Sequence, residues 1–333
     1  MKYLAILALI VAQALTCTPP ADHVKEMLAT EASQGFSTIT KEHLASRELS
    51  RTTGTWRPLN IYFDLRPLFA TLTELKKESL VPFYEKVFFA TGAWWKNALK
   101  VNDDRSLISA KVIKSWEYFE KWVAPSGLVM TDYDLLVKVQ WADRAGNKST
   151  LAWAGPRHRH PVSQRPVSGT LGIEKYGSGL WENNTDPKKG FQSAMATMIH
   201  EFGHIISFSG WSTYQQKNIL TVPGANGQNQ YYWTGPKAVE VAKNYYKCSG
   251  DFKGLPLQSS GARMGAHWQE AWFGAEGMSP MEGAEPELFS AMTLALCEDS
   301  GWYKVDYAMA ENYEYGKGAG CEKKNCTTQT CNP

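Results

Sequence analysis

The stretch "ATMIHEFGHIISFSGWS", residues 196–212, carries two histidines four apart, with a glutamate directly after the first. On an α-helix, positions i and i+4 lie roughly 40° apart around the axis. His200 and His204 would therefore project from one face, one turn apart, and both imidazoles would reach one metal ion. Glu201 would sit beside that metal, close enough to act as a base without being a ligand. This is the H-E-x-x-H pattern, in which two helical histidines hold zinc and the glutamate serves as general base of a metalloprotease. The residue content of this chain predicts on the order of 0.01 accidental matches. An ordinary amphipathic helix with two surface histidines is the competing reading. Against it, the helix is otherwise apolar or small, with Phe191, Ala194, Met195, Ala196, Met198, Ile199, Phe202, Ile205, Ile206 and Phe208. Buried imidazoles and a buried carboxylate need partners, and a metal supplies them.

A catalytic zinc takes three protein ligands and leaves a position for water. The chain holds seven histidines. His23 and His43 fall in a polar N-terminal stretch. His158 and His160, in "PRHRHP", would share a side if extended and could bind metal, although a solvated basic loop is the better reading. His267, in "MGAHWQEAWFGAEGMSPM", lies 63 residues after His204, so only folding could bring it in. From the residues alone the third ligand stays open.

Around these residues the chain reads as a secreted globular protein. "MKYLAILALIVAQALTC" has one basic residue, an apolar run from Tyr3 to Val11 and an Ala-x-Ala site at Ala12–Ala14, the pattern of a secretory signal peptide over 1–17. No later apolar stretch is long enough for a membrane helix, and no apolar GPI tail is expected. Residues 18–52 are polar and end in a protease-accessible "SRELSR", which suggests a pro-segment. Sequons at Asn147, Asn183 and Asn325 are compatible with secretion. Of six cysteines, removal or isolation of Cys17 leaves five, so one is expected to be free or to pair with another chain. The net charge is +2 and no basic cluster is interleaved with aromatics, so no nucleic-acid partner is expected. The 13 tryptophans suggest a core with aromatic anchors.

The elements that must position the histidines follow from periodicity. Leu59, Ile61 and Phe63 alternate as in a strand. "LTELKKESLVPFYEKVFFATGAWWKNAL" is helical in spacing, with Pro82 kinking it or marking a helix start. "DYDLLVKVQWA" and "RPVSGTLGIEKYG" are strand candidates, the second made less regular by Gly169 and Gly172. The helix of the opening motif comes next, so that strands and helices alternate. After Gly210 the periodicity weakens: "TVPGANGQNQ" reads as a loop, "GPKAVEVAKNYY" and "ELFSAMTLALCEDSGW" as helices, the latter stopped by Gly301.

"HEFGHIISFS", "KNYYKCSG", "GAHWQEAWFGAEGM" and "TLALCEDSGWYKVDYAMAENYEYGKGAGC" resemble, in order, segments of the leishmanolysin family of zinc metalloproteases, which are metzincins, and "RPVSGTLGI" resembles the strand that precedes its zinc helix. The resemblance spans roughly residues 55–326. It implies an α+β fold, with an N-terminal twisted mixed sheet and two long helices, and a mainly helical or irregular C-terminal subdomain across a cleft. The catalytic subdomains would cover 53–210 and 211–310, with a short Cys-rich tail over 311–333. It implies one Zn²⁺ held by His200, His204 and His267, with Glu201 as general base and Met278 as the Met-turn residue beneath the metal. It places Val167, Ser168, Gly169, Thr170 and Leu171 on the strand bordering the substrate cleft, expected to be an edge. The implied protein is a monomer acting on protein or peptide substrates.

Three departures from the family stand out. Ser207 occupies the position where metzincins usually carry a glycine. A left-handed helix end there would be strained for serine, so the helix is expected to end instead at Ser209-Gly210. A cysteine usual near "AGPRHRHP" is absent, and Cys17 lacks the histidine-flanked setting of a zinc-capping pro-segment cysteine. Two alternatives stay in play: a zinc hydrolase with Glu240 as third ligand, and a secreted adhesion or binding glycoprotein whose site has decayed, which Ser207 would favour.

Overall fold

The apolar alternation at residues 59–63 leads into β2 (Ile61–Asp64), after a two-residue strand β1 (Arg57–Pro58), in a computed structural model of the chain. The structure describes residues 55–103, 126, 128–129, 132–144, 149–160, 162–209, 216–224, 227–248, 250, 252–260, 263–280 and 288–321. The signal peptide, the pro-segment, Cys17, His23, His43, Asn147, Asn325 and the expected boundaries at 52/53 and 210/211 lie outside them. So does the tail after Cys321.

The long helical spacing resolves into α1 (Arg66–Glu74), a 3-10 turn (Glu78–Leu80) and α2 (Val81–Ala98). Pro67 and Pro82 each stand in the first turn of their helix, where a missing N–H costs nothing. Pro82 thus starts a helix and kinks none. β3 (Leu99–Val101), β4 (Leu135–Ala142), β5 (Ala152–Arg159), β6 (Pro166–Glu174), α3 (Lys175–Glu182) and α4 (Pro187–Ile206) follow.

Four strands form the main sheet in the order β2-β4-β6-β5. β2, β4 and β6 run parallel, and β5 returns antiparallel to β6. Every residue of β5 and β6 is buried. "AWAGPRHR" does not read as a strand, because Gly155-Pro156 and the basic Arg157-His158-Arg159 give it neither period-two alternation nor the continuous apolar run of a strand buried on both faces. Gly169 and Gly172 do not interrupt β6. Side chains there would collide with Ile205 of α4 and with Trp153, so their absence lets helix and sheet close up. α4 packs on β5, β6 and α2.

The C-terminal half departs from the mainly helical or irregular expectation. β7 (Ile219–Pro223), β8 (Asn229–Trp233), β9 (Leu255–Ser260) and β10 (Arg263–Trp268) form an antiparallel sheet in the order β10-β9-β8-β7. "TVPGANGQNQ" contributes the end of β7, a turn and the start of β8. β7 has no buried residue, so it lacks the apolar face that a strand reading needs. α5 (Pro236–Tyr246) and α7 (Ala291–Asp299) are the two helices expected, with a one-turn helix α6 (Glu270–Phe273) between them. β11 (Lys304–Val305) pairs with β3 in a small sheet, β1-β3-β11, returning the late chain to the N-terminal half. The whole is α+β. Trp95, Trp233 and Trp268 are fully buried anchors of its core.

Two further ties matter. Arg165, wholly buried, grips Asp103 at two points, Nε to Oδ2 at 2.7 Å and Nη2 to Oδ1 at 3.0 Å. Its Nη1 donates to the carbonyls of Asp134 and Pro166, so one guanidinium joins the ends of β3, β4 and β6. A Cys248–Cys321 disulfide fastens the end of α5 to the following tail, and Cys297 is a buried free thiol. Among the described residues no helix is long and apolar enough to cross a membrane.

Candidate metal centre

α4 starts where Asp186 caps it. The carboxylate accepts from the Lys188 and Lys189 N–H groups, and Pro187 takes the first helical position. From Thr197 to Ile206 every residue of the helix is buried. His200 and His204 lie one turn apart as their spacing requires, with Nε2 atoms 3.1 Å from each other. β10 supplies His267, and the ligating nitrogens of the three histidines fall within 4.8 Å of one another.

Each ring is held through its Nδ1. His200 Nδ1 lies 2.6 Å from the Gly277 carbonyl, His204 Nδ1 2.8 Å from the Phe208 carbonyl, and His267 Nδ1 2.8 Å from Gln258 Oε1. All three partners are oxygen acceptors, so each Nδ1 carries the proton and each Nε2 keeps a lone pair. Burial holds the rings neutral. It pushes His200 down to about 3, helped by the His204 ring and opposed by the Gly277 carbonyl, and His204 down to about 4. Burial and the two neighbouring imidazoles put His267 well below the ordinary range. Three converging lone pairs repel one another, and His267 Nε2 is buried without a hydrogen-bond partner. A cation among them resolves both conflicts, so the residues fit a metal ion of the kind imidazole favours.

Glu201 follows His200 on the helix and is fully buried. Below them, Met278 packs against the helix at Gly203. A β-carbon at residue 203 would lie 2.7 Å from Met278 Sδ. Gly203→Ala should therefore displace the methionine or the helix and cost about 1–3 kcal/mol of stability. Thermal unfolding checks this, and an unchanged midpoint would refute the close packing.

Glu276 is a residue that sequence reasoning missed. Its buried carboxylate accepts from the Met278 N–H at 2.7 Å, the Ser290 N–H at 2.9 Å, the Ser290 hydroxyl at 2.7 Å and the Thr293 hydroxyl at 2.6 Å. Met278 O in turn accepts from the Trp268 N–H, beside His267, and Gly277 O holds His200. One carboxylate thus organises the turn that touches both sides of the centre. An acidic residue inside the otherwise small and apolar "FGAEGM" is the signal that could have found it.

Several expectations are corrected. α4 ends at Ile206, not at Ser209-Gly210. Ser207 serves as its C-cap with φ −156°, a negative φ outside the left-handed region that favours glycine, so no glycine is required there. Its hydroxyl lies 3.0 Å from Cys297 Sγ. His158 and His160 belong to or adjoin buried β5 and are not in a solvated loop. His158 Nδ1 meets Ser168 Oγ at 2.6 Å, and His160 Nδ1 accepts from the Val162 and Ser163 N–H groups. Neither joins the three-histidine group. Val167, Ser168, Gly169, Thr170 and Leu171 lie on β6, which is interior to the sheet, so the edge beside it is β5. Glu240 is exposed on α5, paired with Lys237 at 3.2 Å, and outside the cluster.

A buried three-histidine centre, two ligands on one helix with a glutamate after the first, is a metallopeptidase-type site on an α+β fold. The leishmanolysin family (peptidase M8) matches residues 120–332, and the chain belongs to that family. It is 35% identical over 236 residues to a leishmanolysin-like peptidase of Drosophila melanogaster, covering 59% of this chain and 33% of the relative. It is 25% identical over 243 residues to one of Caenorhabditis elegans, covering 60% and 35%. A leishmanolysin homolog of Crithidia fasciculata is 26% identical over 246 residues, covering 67% and 34%. The chain spans about a third of the length of these curated relatives.

Proposed function

We propose that this chain is a secreted zinc endopeptidase that hydrolyses peptide bonds of protein or peptide substrates. The observation that carries the reading is the convergence of His200, His204 and His267, with Glu201 following the first ligand. His200, His204 and His267 would hold the Zn²⁺. Bound zinc supplies a Lewis acid that polarises the scissile carbonyl and acidifies a water. Glu201 takes a proton from the attacking water on its carboxylate and delivers it to the leaving amine. Met278 and the Glu276-held turn keep His200 in place. An extended substrate would lie against a strand bordering the cleft and pair with it through its backbone. The signal-peptide pattern and the Cys248–Cys321 disulfide support an oxidising, secretory setting.

Casein cleavage by the full chain, with and without 1,10-phenanthroline, tests the proposal. Activity indifferent to the chelator would sink it. Metal content separates the two candidates for third ligand. His267→Ala is expected to lose the metal and Glu240→Ala to keep one equivalent, measured by mass spectrometry of the purified protein. The opposite pattern would reverse the assignment.

A further inference from the structure

We propose that Gln258 is the positioning residue for the third metal ligand; the inference rests on the metal-centre reading above. Of the three histidines, His200 and His204 are oriented by backbone carbonyls, whereas His267 is oriented by a side chain from the neighbouring strand. The pairing of β9 with β10 shows how this is arranged. Met264 stands opposite Ser259 and Trp268 opposite Leu257, so three residues of β10 (Gly265, Ala266 and His267) face one residue of β9, Gln258. Such a bulge bends the strand and re-aims a side chain. Here it leaves His267 beside the α4 histidines and Gln258 behind its ring.

Gly265 makes room for this contact. A β-carbon there would lie 2.7 Å from Gln258 Oε1 and 3.1 Å from Gln258 Cβ. The chemistry sets the direction of the bond. If the amide nitrogen of Gln258 donated to His267 Nδ1, the ring proton would sit on Nε2 and point into the cluster. With Oε1 as acceptor, Nδ1 carries the proton and the Nε2 lone pair faces His200 and His204. Gln258 thus selects both tautomer and ring orientation before any metal arrives.

Two variants of the full chain test the assignment. Gln258→Leu keeps the bulk and removes the acceptor. Gln258→Glu keeps an acceptor oxygen at the same reach. After chelation, each protein is titrated with Co²⁺ alone, reading the visible absorption of the bound ion and its apparent affinity. Thermal unfolding of the metal-free proteins is recorded in parallel. Gln258→Leu should weaken Co²⁺ binding by about 10–100-fold and alter the absorption bands, with the metal-free unfolding midpoint unchanged. Gln258→Glu should restore affinity and spectrum. Wild-type affinity and spectrum in Gln258→Leu would overturn the assignment. So would a destabilised metal-free Gln258→Leu protein whose affinity Gln258→Glu does not rescue. Failure of the unmodified protein to take up Co²⁺ would instead overturn the metal centre itself, and the assignment with it.

Discussion

Replacing Glu201 with alanine leaves the protein folded and metal-loaded, and lowers peptide hydrolysis by about 10²–10⁴-fold. The expectation follows from the separation of tasks within one helical turn. In the proposed reading the metal would be held by three imidazoles, each oriented by its own acceptor, Gly277 O, Phe208 O or Gln258 Oε1, and none of these bonds involves Glu201. Alanine keeps the helix, because it has the highest helix propensity. What is lost is the group that accepts and returns a proton. The comparison is casein hydrolysis by wild type and Glu201→Ala at matched metal content, with 1,10-phenanthroline as the blank. A metal-loaded Glu201→Ala protein as active as wild type would refute the role of Glu201 as base. Loss of metal along with activity would show that the carboxylate also supports binding.

Arg165→Ala destabilises the fold by about 3–5 kcal/mol without touching the metal centre. The Arg165–Asp103 pair is sealed from water, with both carboxylate oxygens engaged by the guanidinium and Oδ2 also accepting from the Ser163 hydroxyl. Removing the arginine leaves a buried carboxylate with only the Ser163 hydroxyl and the more distant Arg57 guanidinium, 3.8 Å from Oδ1. Replacing both members, as Asp103→Leu with Arg165→Met, should recover much of the loss, because an apolar pair of similar volume leaves no uncompensated charge. Denaturant unfolding of the metal-free proteins at neutral pH provides the comparison, and a mild effect of the single change would contradict it. Acid adds a second signature. Burial alone would raise the Asp103 carboxyl, but the charge and hydrogen bonds of Arg165 outweigh burial and hold it below the ordinary carboxylate range. A carboxyl depressed in the folded state contributes stability above its unfolded pKa, about 3.9, and loses it as pH falls through the folded value. Wild type should therefore weaken below about pH 4 by an increment that the double variant lacks.

The helix of the metal site was legible because its information is local. A 3.6-residue period places His200, Glu201 and His204 without reference to the rest of the chain, and the prolines of the first turns mark where α1, α2, α4 and α5 begin. His267 and Met278 were reached through family resemblance, since nothing in their surroundings separates a ligand from a core histidine. Glu276 and Gln258 went unseen for the same reason: a buried carboxylate and a strand amide acquire their roles only from the donors and the ring they meet.

Strand order lies further still from any local rule. The alternation and apolar content of "RPVSGTLGI" mark a strand, but whether it is interior or edge depends on where "AWAGPRHR" returns, and the end of that segment, within "PRHRHP", reads from sequence as a solvated basic loop. Its two arginines and one histidine are buried, partnered by Thr170, the Gln164 carbonyl and Ser168. Ser207 shows the converse. Residue type suggested strain at the helix end, yet the backbone there stays out of the left-handed region, so no glycine is required. Spacing along one helix is set by bond geometry and survives in isolation. Ligand completion, ring tautomer and strand order depend on contacts that only the folded chain makes: His267 reaches His204 across 63 residues, and even Gln258, nine residues from His267, meets its ring only through the pairing of β9 with β10.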